Sequence, residues 1–322
     1  MIGKVDPGAL AELVFDRTGA ADPAVRQGPG YGEDAAAIDL GDRTLVVSSD
    51  PLSLAAARLG TLAVHVAGND VAVCGADPRW LTVVVFLPDD DGEVLDTVTA
   101  QLDEAAASAG ISIVGGHSEY APSLDRPLLS LTGLGLADRF VPTGGARPGD
   151  RLILTKGAGL EATAILATDF RDRLEEAVEP ATLEAAAGYF DEISVVPDAR
   201  AVREVATAMH DPTEGGLVDG LLELASAAGV RAVVDRADVP VRDATAACCA
   251  AVGVDPLRTF GSGALLAAVP EADVDAALSS LDAAGVEAAV IGRVEAAEEP
   301  ALWLDGQAFT EPVRDDLYAL WA

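Results

Sequence analysis

A chain of 322 residues, half of them hydrophobic, can bury a large core, and this length favours two domains over one. Its 53 acidic residues outnumber its 21 basic residues, so the formal net charge is −32. Such a charge argues against nucleic acid and anionic membrane surfaces as partners. Because the hydrophobic residues are abundant and periodic, the acid excess indicates a salt-adapted surface rather than an acidic disordered chain.

The cysteines and the hydropathy pattern bear on the compartment. Cys74, Cys248 and Cys249 have no metal-ligand spacing, and adjacent cysteines rarely bridge each other. No signal peptide is recognisable, and no apolar run approaches the roughly 18 residues of a membrane span. We therefore expect a protein of the reducing cytoplasm.

The first motif in chain order is a glycine-rich stretch, which follows a short amphipathic helix predicted within 6–18. It reads Gln27-Gly-Pro-Gly-Tyr-Gly-Glu-Asp34 and leads into a strand. Glycines at alternate positions, Gly28, Gly30 and Gly32, would let backbone amides approach a phosphate. A plain glycine turn explains the same pattern equally well, so both interpretations stay open.

A buried helix over 61–75 is the centre of the N-terminal half. Thr61 is its predicted N-cap and Gly75 its C′ glycine. Nearly every residue between them is small or apolar, so we expect the helix to be buried on most sides. Asn69 and Asp70 nevertheless lie in its middle. Because an unpaired buried carboxylate is costly, Asp70 must meet either a neighbouring loop or a ligand or metal.

Two further acidic signals precede this helix. The pair Glu33-Asp34 ends the glycine-rich stretch, and the strand predicted at 44–50 ends on Asp50. An aspartate at a strand end is usually a turn residue. Carboxylates delivered by a loop, a strand end and a helix are also the way magnesium sites are assembled, usually completed by phosphate oxygens. The set Asp34, Asp50 and Asp70 therefore predicts a magnesium site.

The remainder of the N-terminal half predicts strands at 81–87 and 128–136 and a helix at 96–109. Between them, residues 111–118 predict a strand followed by a glycine turn. Gly115 and Gly116 permit close backbone approach, and His117 is expected at the carboxyl end of the strand. A structural histidine and a ligand-facing one are both compatible with this pattern.

A turn-rich connector at 143–150 predicts the boundary between a first domain, 1–143, and a second, 144–322. The second domain predicts an α/β layer, with strands and helices at 151–155, 162–167, 172–208, 217–228, 230–234, 260–269, 271–284 and 286–291. Its stretch Asp211-Pro-Thr-Glu-Gly-Gly216 allows a capping box formed by Asp211 and Glu214. A capping box does not explain the glycine pair, which lowers helix stability.

Taken in order, these motifs resemble the AIR synthase-related superfamily. That group also holds thiamine-monophosphate kinase, selenophosphate synthetase and the hydrogenase-maturation dehydratase HypE. The resemblance covers nearly the whole chain, and the order and spacing of its short motifs make it specific. The motifs are Gly32-Glu-Asp-Ala-Ala36, Ser48-Ser-Asp50, Gly68-Asn-Asp-Val-Ala-Val-Cys-Gly-Ala76 with Pro78, Gly115-Gly-His117, Arg147-Pro-Gly-Asp150, Asp211-Pro-Thr-Glu-Gly-Gly-Leu217 and Gly263-Ala-Leu-Leu266.

The resemblance implies a PurM-like, two-domain α/β (α+β) fold, in which an N-terminal half-barrel sheet dimerises and a C-terminal α/β domain follows. It implies a homodimer with ATP and Mg²⁺ as cofactors, ATP lying in a cleft near the dimer interface. The implied metal ligands are Asp34, Asp50 and Asp70. The implied nucleotide contacts are Gly32, Asp34, Asn69, Gly115, Gly116, His117, Asp211 and Gly215, whereas no catalytic residue is assigned.

Two motifs, Gly115-Gly-His117 and Asp211–Leu217, resemble the HypE branch most, and its archaeal-type relatives in particular. HypE works through a cysteine at its extreme C-terminus, whereas here no cysteine follows Cys249. Three interpretations therefore stay open. The first is an ATP- and magnesium-dependent enzyme that phosphorylates or dehydrates an unidentified acceptor. The others are a non-catalytic nucleotide-binding maturation or regulatory paralogue and a small-molecule kinase like thiamine-monophosphate kinase.

Overall fold

The structure is a computed structural model that describes residues 3–321. Its helices are α1 Pro7–Leu13, α2 Leu59–Val73, α3 Gly92–Ala109, α4 Leu160–Asp169, α5 Arg171–Leu174, α6 Pro180–Ala187, α7 Val196–Val202, α8 Gly216–Ala228, α9 Asp243–Val252 and α10 Val274–Ala283. Its strands are β1 Val25–Gln27, β2 Ala36–Asp39, β3 Thr44–Leu52, β4 Asp77–Leu87, β5 Ser112–Tyr120, β6 Leu128–Ala137, β7 Asp150–Thr155, β8 Ala208–His210, β9 Val230–Val234, β10 Leu266–Pro270, β11 Ala288–Ala296, β12 Ala301–Leu304 and β13 Gln307–Phe309.

The first six strands form one sheet in the order β1-β2-β3-β6-β4-β5. All neighbours in it are antiparallel except β4 and β5, which are parallel. Helices α2 and α3 pack against this sheet and against each other. The sheet alternates buried and half-buried residues along β6, because one face meets α2 and the other does not.

Helix α2 confirms the predicted burial, since every one of its residues except His65 is buried. Gly75 has a φ of +83° and ends the helix as predicted. The predicted start at Thr61 is wrong, because the helix already begins at Leu59. Its first turn needs no capping hydroxyl: the N–H of Gly60 donates to Gln101 Oε1 of α3 at 2.9 Å.

The last seven strands form a second sheet in the order β13-β12-β9-β11-β7-β10-β8. Helix α8 packs against β9 and β12 on one face, and α7 and α10 lie with the apolar side chains of the other face. Helices α4, α6 and α9 form a further layer with its own core. The helical region predicted at 172–208 is divided into α5, α6 and α7, with a proline at the start of both α6 and α7.

Two predictions about strand ends are wrong. Strand β3 continues two residues beyond Asp50, to Leu52. The glycine turn predicted after residue 114 does not form, and β5 runs through it to Tyr120. Gly116 has a φ of +156°, and a side chain there would overlap the carbonyl oxygen of Val83. Gly116 therefore serves close pairing with β4 instead of a turn.

The two halves meet through α2. Asn69 is fully buried, donates from Nδ2 to the carbonyl oxygen of Ile193 at 2.9 Å and accepts from the N–H of Val195 at 2.9 Å. At the surface, Arg200 donates to Asp77 at 2.7 Å. Within residues 3–321, no helix combines the length and the apolar character that crossing a membrane requires.

Candidate functional site

Four aspartates form the candidate site, which we call the carboxylate cluster: Asp34, Asp50, Asp70 and Asp211. Asp50 lies on β3 and Asp70 in α2, and Ser48 bridges them. The Ser48 hydroxyl donates to Asp70 Oδ2 at 2.5 Å and lies 3.4 Å from Asp50 Oδ2. Residues 48 and 50 share one face of the strand because side chains alternate. Burial, reinforced by the neighbouring Asp50 charge, raises the pKa of Asp70 well above its usual value.

Asp34 belongs to the loop before β2, and its partners come from the end of the first domain and from the second domain. Thr143 Oγ1 donates to Asp34 Oδ2 at 2.9 Å. His210 Nδ1, at the end of β8, lies 2.8 Å from Oδ1 and 2.9 Å from Oδ2 of the same carboxylate. Both oxygens of Asp34 are therefore held by these two residues, which fixes the direction in which the loop presents this carboxylate.

Asp211 is buried, with 1% of its surface exposed, and neither of its oxygens has a hydrogen-bond partner among residues 3–321. Burial and the nearby Asp34 charge raise the pKa of Asp211 well above its usual value, while the His210 charge opposes that shift. The predicted capping box is wrong, because α8 begins at Gly216 and Asp211 does not cap it. The free oxygens instead mark a place for a cation or a hydrogen-bond donor.

Sequence reasoning missed an ion-pair chain that reaches the cluster. Lys4 Nζ donates to Glu223 Oε1 at 2.8 Å, and Glu223 Oε2 lies 3.1 Å from His210 Nε2. Burial alone would lower the pKa of His210, but Asp34 and Glu223 outweigh it and raise the pKa well above the usual value. At Glu223, burial alone would raise the pKa, but the Lys4 and His210 charges outweigh it and the pKa falls to about 2. In the sequence, the position of His210 directly before Asp211 was the feature that could have indicated a role for His210 at the cluster.

Whether the cluster fits magnesium depends on how many of its side chains can reach one ion. Within the described residues, no group of three His, Cys, Asp or Glu side chains is placed to hold a metal ion between them. The predicted set Asp34, Asp50 and Asp70 is thus not a closed ligand shell, because both Asp34 oxygens already bond to His210 and Thr143. Paired carboxylates beside an unpartnered one do suit Mg²⁺, which binds through one or two carboxylates and takes phosphate oxygens for the rest.

The glycine-rich loop docks against α8. Gly32 has a φ of +81°, and a Cβ at this position would lie 2.6 Å from the carbonyl oxygen of Glu223. The next residue, Glu33, accepts from the N–H of Gly144 at 3.2 Å. Packing therefore explains why residue 32 is glycine, and its contact with a nucleotide stays a prediction.

Two predicted nucleotide contacts have other partners. Asn69 has no exposed surface, and its amide joins α2 to residues 193–195, so its role is structural. The N–H of Gly215 donates to Asp315 Oδ2 at 2.9 Å and is not available to a phosphate. These partners account for both groups without a ligand, and their contact with a nucleotide stays a prediction.

Gly115, Gly116 and His117 lie apart from the cluster within one copy of the chain. They are on β5, which is separated from β3 by β6 and β4, or about 14 Å at the usual strand spacing. The His117 side chain is 64% exposed and its Nε2 lies 3.1 Å from Glu119. One copy alone therefore does not bring this motif to the carboxylates.

Comparison with known proteins identifies the family. Residues 32–137 match the AIR synthase related protein N-terminal domain and residues 147–305 match its C-terminal domain. These ranges lie on either side of the predicted boundary at 143/144. Carbamoyl dehydratase HypE from Cupriavidus necator is 32% identical over 312 residues, covering 91% of this chain and 86% of that protein. A putative hydrogenase expression/formation protein from Methanocaldococcus jannaschii is 27% identical, covering 77% of this chain and 75% of that protein.

Solved structures agree with the fold. AaThiL complexed with AMPPCP and TMP has a TM-score of 0.76 and 20% identity, covering 94% of both chains. Hydrogenase maturation protein HypE in complex with ATP has a TM-score of 0.72 and 24% identity, covering 96% of this chain and 95% of that one. The predicted PurM-like two-domain α/β fold is confirmed. The chain belongs to the AIR synthase-related family and is a HypE-like member of it.

Proposed function

We propose that this protein is an ATP- and magnesium-dependent enzyme of the cytoplasm that phosphorylates or dehydrates an acceptor still to be identified. The observation that carries the proposal is the buried Asp211 carboxylate, which has no hydrogen-bond partner among residues 3–321 and lies close enough to Asp50 and Asp70 for them to act on its pKa. Asp70 and Asp211 are buried, and carboxylates gathered in this way are costly unless a cation joins them. One or two of the carboxylates of Asp50, Asp70 and Asp211 would hold the magnesium ion, which would neutralise charge on the phosphate oxygens of ATP.

The cysteines bear on the acceptor. Cys74, Cys248 and Cys249 are all buried. Burial raises the pKa of the Cys74 thiol well above its usual value and that of Cys249 to about 12. Because the thiolate is the nucleophile, none of the three is suited to accept a transferred group. We therefore infer that the acceptor is a small molecule or a group on a partner protein.

We also propose that the protein is a homodimer that pairs through β5. All nine residues of this strand are exposed, including Ile113, Val114 and Tyr120, which are 42%, 57% and 58% exposed. An uncovered edge strand with apolar side chains is a template for pairing with another chain. Pairing there would place Gly115, Gly116 and His117 in the interface, where the family resemblance locates ATP.

The test is calorimetric titration of ATP in the presence and absence of Mg²⁺, in high salt. Wild type and Asp70→Asn are compared with Asp138→Asn, which removes an exposed acid away from the cluster. We expect magnesium-dependent binding in wild type and Asp138→Asn and none in Asp70→Asn, which loses one of the charges facing the cation. Absence of binding in wild type would overturn the proposal.

Turnover distinguishes the remaining alternatives. An enzyme should hydrolyse ATP or transfer its phosphoryl group in the presence of a suitable acceptor, and Asp50→Asn should abolish this activity. Phosphorylation of thiamine monophosphate would identify a small-molecule kinase. Nucleotide binding without turnover over a broad acceptor panel would identify a non-catalytic maturation or regulatory paralogue instead.

A further inference from the structure

The ion-pair chain connects the N-terminal segment to the carboxylate cluster through two buried residues. Its first contact is Lys4 Nζ to Glu223 Oε1 at 2.8 Å, and its second is Glu223 Oε2 to His210 Nε2 at 3.1 Å. The third is His210 Nδ1 to Asp34 at 2.8 Å. The side chains of His210 and Glu223 are only 4% and 7% exposed, whereas that of Lys4 is 43% exposed. Positive and negative groups alternate along the chain, so each buried charge has an opposite neighbour.

We propose that Lys4 and Glu223 are positioning residues that act through His210 and set the orientation of Asp34 in the site. The inference deepens the proposed function, on which it rests, by assigning a role to side chains that do not themselves reach the cluster. Outer partners of this kind orient the residues in contact with a ligand or metal.

The geometry at His210 explains how the orientation is transmitted. Each ring nitrogen faces one carboxylate, Nδ1 toward Asp34 and Nε2 toward Glu223. The ring cannot rotate or shift without lengthening one of these contacts. Glu223 is fixed in turn, because its other oxygen accepts from Lys4 Nζ. Removal of the Lys4 cation therefore lets the Glu223 side chain move, and His210 Nε2 is no longer held by a fixed partner.

The N-terminal segment is itself held in place. The backbone N–H of Lys4 donates to Glu214 Oε2 at 3.0 Å. Gly3 has a φ of +117°, and a Cβ there would lie 2.8 Å from the ring of Tyr318. Since backbone contacts keep the segment on the second half of the molecule, a change confined to the Lys4 side chain removes the cation without removing the segment.

The first experiment observes the imidazole directly and requires no ligand. The chain has only three histidines, so ¹⁵N-histidine labelling with His210→Gln assigns the ring signals of His210 by NMR at pH 7 in high salt. We expect hydrogen-bonded ring N–H signals from both nitrogens in wild type. Lys4→Met and Glu223→Gln should shift the Nε2–H signal, and Lys4→Arg, which keeps the cation, should leave it in place.

The matched control is Arg151→Met. It also removes a partly exposed cation from a carboxylate partner, Glu271 at 2.6 Å. Arg151 forms no ion pair with any member of the ion-pair chain of Lys4, Glu223, His210 and Asp34. We expect wild-type His210 signals in this variant. Thermal unfolding of every variant shows whether the fold is retained.

The second experiment measures the magnesium-dependent affinity for ATP. Glu223→Gln should weaken it by about 10–100-fold, the usual effect of losing an outer partner. Lys4→Met should weaken it by a smaller factor, since water reaches Lys4, and Lys4→Arg and Arg151→Met should retain wild-type affinity. The inference is overturned if Lys4→Met and Glu223→Gln keep the wild-type His210 signals or the wild-type affinity. If wild type binds no ATP, the proposed function fails, and the NMR comparison still decides whether Lys4 and Glu223 hold His210.

Discussion

At the scale of single residues, the cluster contains two carboxylates with opposite surroundings. Asp34 has His210 and Thr143 as partners, whereas Asp211 has none among the described residues. Removing a partnered buried charge leaves its partner uncompensated, whereas removing an unpartnered charge relieves an unfavourable burial. The same Asp-to-Asn change should therefore affect stability in opposite directions at these two positions.

We predict that Asp211→Asn raises the free energy of unfolding of the ligand-free protein at pH 7 by about 1–3 kcal/mol. Asp34→Asn should lower it by about 3–5 kcal/mol, because His210 would remain buried without that partner. Denaturant unfolding in high salt, without magnesium or nucleotide, measures both values.

The pH dependence of stability provides a second test of the direction expected for Asp211→Asn. The pKa of Asp211 is raised in the folded protein, so the folded state binds the proton more tightly than the unfolded state does. Its contribution to stability is favourable at low pH and decreases as pH rises from the unfolded pKa, near 4, to the folded one. The advantage of Asp211→Asn should accordingly grow with pH. Equal destabilisation by Asp211→Asn and Asp34→Asn would contradict this account.

Residue patterns predicted the aspartates but not their partners. Asp50 and Asp70 are recognisable because a carboxylate in an apolar strand or helix needs an explanation from its immediate neighbours in sequence. The pairing of Lys4 with Glu223 spans 219 positions, and that of Asp34 with His210 spans 176. No periodicity connects residues so far apart, and only the packing of the two halves brings them together.

At the scale of secondary-structure elements, β6 shows where local reasoning succeeds and β5 shows where it fails. The strand at 128–136 was predicted nearly to its observed bounds, because its alternation is a property of the segment itself. The turn predicted at Gly115-Gly116 is wrong, since β5 continues through both glycines and Gly116 is used for close approach to β4. A glycine signals a special backbone position, but whether that position is a turn or a close contact depends on a distant strand.

This contrast predicts different effects at adjacent positions. Gly116→Ala should disrupt the pairing of β4 and β5, because its Cβ would overlap the carbonyl oxygen of Val83, and should cost about 1–3 kcal/mol. Gly115→Ala should change stability by less than about 0.5 kcal/mol, since no atom lies within 4 Å of a Cβ there. Hydrogen exchange of the β5 amides, measured with thermal unfolding, tests the pair. Equal exchange in both variants would show that Gly116 is not required for the pairing.

At the scale of the whole molecule, the charge acts in two ways. A few acids are gathered in the interior, where His210 and Lys4 offset part of their repulsion. Most of the 53 acids cannot each have a cationic partner, because the chain has only 21 lysines and arginines. Repulsion among the surface acids therefore opposes the folded state throughout the molecule, and dissolved ions weaken it by screening.

We predict that the melting temperature in KCl is higher at 2 M than at 0.1 M, because the screening length falls from about 10 Å at 0.1 M to about 3 Å at 1 M. A variant with fewer surface acids separates screening from other effects of salt. Asp103, Glu104, Glu298 and Glu299 are exposed, and their side chains make no hydrogen bond or ion pair within residues 3–321. Changing all four to their amides should raise the melting temperature at 0.1 M and leave it nearly unchanged at 2 M. A higher melting temperature at 0.1 M than at 2 M in wild type would show that charge repulsion does not limit the stability of this protein.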